Sequence, residues 1–150
     1  MNLLFGASIF IIFSLHVKSQ ILQKRFEDRT YMFFSRTATF SGMEKLCKQQ
    51  NATIAPARTL AENNFLYNMR RQAGFGRFRM WIGGVRNGTG GAFVWSDGSP
   101  LTFTNWIGGE PNNAGGKENC MVMVVEKSGK KAGWRDISCE EFFHQVICVT

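Results

Sequence analysis

The chain has 150 residues and a formal charge of +7, from 18 lysines and arginines against 11 aspartates and glutamates. That length holds one domain and is too short for two comfortable ones. In a nuclear or cytosolic protein the basic balance would raise nucleic acid as a partner; in a secreted one it points instead to anionic glycans or microbial surfaces.

The first segment favours secretion. The apolar run from Leu3 to Leu15 is shorter than the roughly 20 residues that cross a bilayer. Val17-Lys18-Ser19 follows it with small residues at a signal-peptidase spacing, so residues 1–19 read as a signal peptide and 20–150 as the mature domain. No basic residue precedes the run, which leaves an uncleaved anchor as the alternative. Loss of Lys18 lowers the charge to +6. The four cysteines, Cys47, Cys120, Cys139 and Cys148, all lie in the mature part, where disulfides are the default. Four cysteines permit three pairings, and sequence alone does not rank them. No close Cys-x-x-Cys pair of the zinc type occurs. Asn51-Ala-Thr53 and Asn87-Gly-Thr89 are glycosylation sequons and agree with an extracellular chain.

After a short polar leader, the aromatic-rich stretch Phe26 to Phe40 suits an opening strand and a turn. A helix follows, with Thr39 or Ser41 as N-cap and Met43, Leu46 and Cys47 on its inner face. Asn51 to Pro56 is an extended connection. Thr59-Leu60-Ala61-Glu62 is a capping box opening a second helix, with Leu60, Phe65, Leu66 and Met69 as its buried stripe and Gly74 at its end. From Met80 onward, short apolar runs alternate with glycine turns: Trp81 to Val85, Ala92 to Trp95, Cys120 to Val125, Gly133 to Cys139 and Val146 to Thr150 read as strands. Helices early and antiparallel strands late make an α+β domain. None of the glycine pairs joins a strand to a helix as a phosphate loop requires.

One loop stands out between these strands. Glu110-Pro-Asn-Asn-Ala-Gly-Gly-Lys-Glu-Asn-Cys120 gathers Glu110, Asn112, Asn113, Glu118 and Asn119 on a segment whose proline and glycines exclude a helix or a central strand. These are hard oxygen donors of the kind calcium takes, although polar loops are common. The irregular stretch from Ser96 to Cys120 is long for a compact domain. A bound cation would pin it.

Several features in order carry a resemblance: the helix with Cys47, Trp81-Ile82-Gly83, Trp95-Ser96-Asp97-Gly98, Trp106, Glu110-Pro111-Asn112, Glu118-Asn119-Cys120, Trp134-Arg135-Asp136, and the pair Cys139 and Cys148. Each alone is weak; together, from about Tyr31 to Cys148, the chain resembles the C-type lectin-like domain, in its short form. The resemblance implies two helices packed on antiparallel sheets with a long calcium- and sugar-binding loop region. It implies bridges Cys47 to Cys148 and Cys120 to Cys139, closing about 100 and about 20 residues and contributing roughly 4 to 5 and 3 kcal/mol by loop entropy. It further implies that Glu110, Asn112, Glu118 and Asp136 ligate calcium and hydrogen-bond the sugar, with Pro111 in cis. The Glu-Pro-Asn order resembles the mannose-type class, whose members coordinate two neighbouring hydroxyls through the ion.

One position departs from the pattern. Arg135 stands where the family's sugar-binding members have asparagine, and a guanidinium has no lone pair to offer a cation. It either lies across Glu110, Glu118 or Asp136 as a counter-ion, or turns outward and costs the site one ligand. Asn113, where a carboxylate would be favoured, argues against a second calcium site.

The leading expectation is therefore a secreted, calcium-dependent lectin for mannose-type glycans, including microbial ones. The alternative is a calcium-independent lectin-like module that binds protein, lipid or anionic polymers through Arg70, Arg71, Arg77, Arg79, Lys117, Lys127, Lys130, Lys131 and Arg135. Catalysis is not expected. His144 is the single histidine of the mature part and has no paired nucleophile, and Glu140 and Glu141 are adjacent along an extended chain, which sends them to opposite faces. Trp81, Trp95, Trp106 and Trp134 read as core rather than sugar platforms.

Overall fold

A computed structural model describes residues 22–74, 78–88, 90–125 and 132–150. The expected signal peptide lies outside these residues, as does Thr89 of the second sequon. The elements in order are β1 (Leu22–Phe26), β2 (Arg29–Ala38), α1 (Phe40–Lys48), β3 (Thr53–Ile54), α2 (Leu60–Gln72), β4 (Arg79–Arg86), β5 (Phe93–Trp95), a 3-10 turn at Ala114–Gly116, β6 (Cys120–Val125), β7 (Ala132–Ile137) and β8 (Phe143–Val149).

The path of strands across the sheet is β1-β2-β8-β4-β6-β7, with β3 on β8 and β5 on β4. The α+β class holds, but the sheet is mixed rather than antiparallel. The last strand, β8, inserts between β2 and β4, and it meets β4 in parallel at Trp81 and Val146. The last strand thus closes the sheet against one of the first. β1 also replaces the expected polar leader. Leu22, Lys24 and Phe26 are half-buried while Gln23 and Arg25 face solvent, the alternation of an edge strand with one covered face, and Phe26 stacks on Phe65 with ring centroids 4.7 Å apart.

The wholly apolar sequence of β6 follows from its place. Met121, Met123 and Val125 enter one core with Met80 and Ile82 of β4 and Leu66 and Met69 of α2. Cys120, Val122 and Val124 enter the other, with Trp81 of β4 and Met43, Leu46 and Cys47 of α1. A strand covered on both faces has no solvent side on which to alternate.

Both helices begin where capping predicts. Thr39 Oγ1 accepts from the Gly42 N–H, and Thr59 Oγ1 from the Glu62 N–H at 3.0 Å. Glu62 departs from a reciprocal box, because its carboxylate takes the Arg58 N–H at 2.6 Å and pairs with Arg29. Leu60 is exposed rather than buried. It is the first residue after the cap, and α2 instead buries Glu62, Asn63, Leu66, Met69 and Arg70. Asn63 accepts from the Trp134 indole at 2.9 Å, which fixes α2 against β7.

The bridges Cys47–Cys148 and Cys120–Cys139 are formed, at sequence separations of 101 and 19. The first ties α1 to β8. The second joins the head of β6 to the chain three residues beyond Asp136.

Candidate functional site

The loop before β6 is built onto β7. Asn105 donates from its side chain to the Ala132 carbonyl at 2.8 Å, the Trp134 N–H reaches the Asn105 carbonyl at 2.8 Å, and the Ile107 N–H reaches the Trp134 carbonyl at 3.0 Å. Gly133 makes this approach possible, since a Cβ there would strike the Ile107 side chain. Trp95, Phe103 and Trp106 surround Trp134 edge-on. The tryptophans act as core, as their strand positions predict: Trp81, Trp95 and Trp134 are buried, and Trp106 is half-buried against them.

From this base the chain turns at Glu110, and the Glu110–Pro111 bond is cis. Asp136, on β7, is the anchor. Its side chain is 0% exposed; Oδ1 accepts the Asn112 N–H and Oδ2 the Asn113 N–H, both at 2.9 Å. Farther along, the Ala114 N–H is shared between Asn112 Oδ1 at 2.8 Å and Glu118 Oε2 at 2.9 Å, and the Glu118 N–H returns to Asn113 Oδ1. Asn113 adopts a left-handed conformation (φ 46°), which asparagine tolerates better than most residues. The loop thus holds its shape with its own amides and carboxylates.

Glu110, Glu118 and Asp136 converge, each offering a carboxylate oxygen within 4.8 Å of the others. Asn112 joins them through the loop, with its side chain on the exposed side. Three of the four predicted ligands are therefore brought together, and Asn112 is tied to them by its backbone N–H on Asp136. The Glu110 side chain is only 5% exposed, and its Oε2 has no hydrogen-bond partner among the described residues. Burial, and then the nearness of the Asp136 carboxylate, hold the Glu110 carboxyl above its ordinary value, while Arg135 opposes the shift.

Two arginines face this cluster. Arg135 lies across Glu110, with Nε 2.9 Å from Oε1, and so takes the counter-ion position foreseen as one of its two options. Its side chain is 38% exposed. Sequence reasoning missed the second, Arg86, at the end of β4. Arg86 donates from Nη2 to Asp136 Oδ2 at 2.8 Å, from Nε to the Glu118 carbonyl and from Nη1 to the Gly91 carbonyl, both at 3.1 Å. Its guanidinium sits 4.3 Å over the Phe93 ring and the side chain is only 10% exposed. Arg86 is fixed; Arg135 is not.

Asn51 and Asn87 are both exposed. His144 is exposed at the start of β8 and shares a 2.6 Å hydrogen bond with Thr37 Oγ1. Arg77, Lys127, Lys130 and Lys131 fall outside the described residues.

Comparison with known proteins agrees with this architecture. Residues 36–150 match the Lectin C-type domain. Ladderlectin of Oncorhynchus mykiss is 33% identical over 119 residues, covering 79% of this chain and 61% of its own, so the chain spans less than two thirds of that relative. The cow C-type carbohydrate-recognition domain of CD23, solved in the presence of a GlcNAc2Man3 oligosaccharide, superposes with a TM-score of 0.71 at 27% identity, covering 86% of this chain and 92% of that one. A calcium-independent type II antifreeze protein shares the fold with a TM-score of 0.71 at 22% identity, covering 86% and 91%. Fold, disulfides and the match across residues 36–150 lead to one conclusion: the chain belongs to the C-type lectin domain family.

Proposed function

We propose that the chain is a secreted carbohydrate-binding lectin whose site is the Glu110–Glu118 loop together with Asp136, and that calcium held there by Glu110, Asn112, Glu118 and Asp136 gives it mannose-type specificity. The observation that carries the reading is the convergence of the Glu110, Glu118 and Asp136 carboxylates, with the buried Glu110 Oε2 lacking a partner among the described residues. A buried acceptor left without a donor is costly, and a hard cation is one way to satisfy it. Calcium bound there would supply coordination positions for two neighbouring hydroxyls, and the same carboxylates and the Asn112 amide would hydrogen-bond those hydroxyls. Secretion through residues 1–19 and glycan attachment at the exposed Asn51 and Asn87 belong to the same reading, and the two disulfides suit an oxidising compartment.

The arginines decide how strongly a cation is held. Three carboxylates against two guanidiniums leave one net negative charge at the cluster. Arg135 is the more displaceable of the two, since its side chain is 38% exposed and that of Arg86 only 10%. Arg86 stays, and Asp136 Oδ2 already serves two donors. Calcium affinity is therefore expected near the weak end of extracellular modules, with a Kd of about 10⁻³ M. Retention on immobilised mannan in millimolar calcium, with release by a chelator, tests the reading. A protein that never binds mannan in calcium would overturn it. Exchange of Arg135 for asparagine (Arg135→Asn) removes a repelling charge and adds an oxygen ligand; calorimetry should show calcium binding about tenfold tighter.

The Arg86–Asp136 pair favours one further reading, in which guanidinium rather than metal closes the loop and glycan binding is indifferent to calcium. Equal retention on mannan with and without chelator would select it.

A further inference from the structure

A cleft of about 560 Å³ opens beside the loop, and Arg70, Arg79 and Arg135 line it together with His144 and Gln145 over a floor that includes Val124 and Phe143. We propose that this cleft is a second saccharide subsite, for an acidic sugar bearing sulfate or carboxylate, engaged without calcium. The carbohydrate class rests on the lectin reading given above; the anion preference rests on the cleft itself.

No aspartate or glutamate is among its lining residues within the described part of the chain. The ion pairs among the described residues include neither Arg70 nor Arg79. Arg70 is 6% exposed, and its donors go to neutral acceptors, the Gln145 side chain and the Gly74 carbonyl, both at 2.5 Å. Its guanidinium lies 4.4 Å over the Phe78 ring, and burial lowers its pKa. A cation held out of water without a counter-charge gains from an incoming anion. Arg79 is exposed, 5.9 Å over the Phe143 ring, and free to follow a ligand. Arg135 joins the two sites: it pairs with Glu110 in the loop and lines the cleft. A glycan chain whose neutral sugar sits at the loop therefore runs past Arg135 toward Arg79, where a sulfate or uronate meets positive charge that no carboxylate pairs with among the described residues. The apolar floor suits the C–H face of a sugar ring.

A heparin-derived hexasaccharide, titrated calorimetrically into the full chain in excess chelator, tests the subsite. Binding is expected, weakened by salt, and reduced about tenfold by Arg79→Glu through loss of a charge-assisted contact. Lys24→Glu, which makes the same charge change on β1, should leave hexasaccharide binding intact. Arg79→Glu should also leave calcium-dependent mannan retention unchanged, so failure of the cleft and failure of the loop are read separately. Absence of hexasaccharide binding would overturn the subsite. So would an equal loss with Lys24→Glu, which would mean attraction by net charge alone, or tighter binding to anionic phospholipid vesicles than to the hexasaccharide.

Discussion

Asp136→Ala is expected to lower stability by about 3 to 5 kcal/mol and to abolish binding at the loop, the largest single-residue effect the structure supports. The carboxylate is fully buried and accepts from Arg86 and from the Asn112 and Asn113 amides. Alanine leaves Arg86, 10% exposed, as a cation without its counter-charge, and strands two backbone donors. Water reaches the amides once the loop opens, but Arg86 is still tied to the Glu118 and Gly91 carbonyls and cannot easily leave. Thermal denaturation should fall by about 10 °C or more for a domain of this size. Amide exchange at Asn112 and Asn113 should accelerate by more than exchange in β6. Adding Arg86→Leu to Asp136→Leu should recover a good part of the stability, because a buried ion pair is replaceable by apolar groups whereas half of one is not. Loop binding should not return. A single variant within about 1 kcal/mol of the parent would mean that Asp136 does not organise this loop.

The family motif singles out Asp136 in the sequence, but the way it is held was not legible there. Trp134-Arg135-Asp136 and Glu110-Pro111-Asn112 carry local signals that led to the convergent residues. Arg86 carries no such signal, being one arginine at the end of a strand, and its partner lies 50 residues away. Nothing in a linear pattern tells a surface arginine from one whose charge is met by a distant carboxylate. The same limit explains the sheet. Periodicity located β4 and β8, but their parallel meeting at Trp81 and Val146 depends on how the two ends of the chain pack. β1 escaped detection for a different reason. Leu-Gln-Lys-Arg-Phe holds only two apolar residues, and as an edge strand it needs only one covered face. Capping was more readable because its partners are four residues apart or fewer. Even there Glu62 moved its carboxylate to the Arg58 amide, with Arg29 of β2 as its ion-pair partner.

Replacing both Cys47 and Cys148 by alanine is expected to remove about 4 to 5 kcal/mol, against about 3 for Cys120 and Cys139, since the first bridge closes the longer loop in the unfolded chain. A domain of this kind has only about 5 to 15 kcal/mol in total, so the first double variant should be marginal and the second still folded. The bridges differ in place as well as in length. Cys47 and Cys148 are fully buried between α1 and β8, beside Phe40, Trp81 and Val146, and β8 is also held by β2 and β3. Their loss should shift the unfolding midpoint while any molecules that remain folded keep an ordinary loop site. Cys120 begins β6 two residues after Glu118, and Cys139 follows Asp136 by three, so that bridge ties together the two sides of the carboxylate cluster. Its loss should weaken mannan retention by more than the change in stability accounts for. Urea denaturation together with retention on mannan separates the two effects. If the shorter bridge proves the more stabilising, unfolded-chain entropy is not the main term. If its removal leaves retention untouched, the loop is held by Asp136 and its own hydrogen bonds alone.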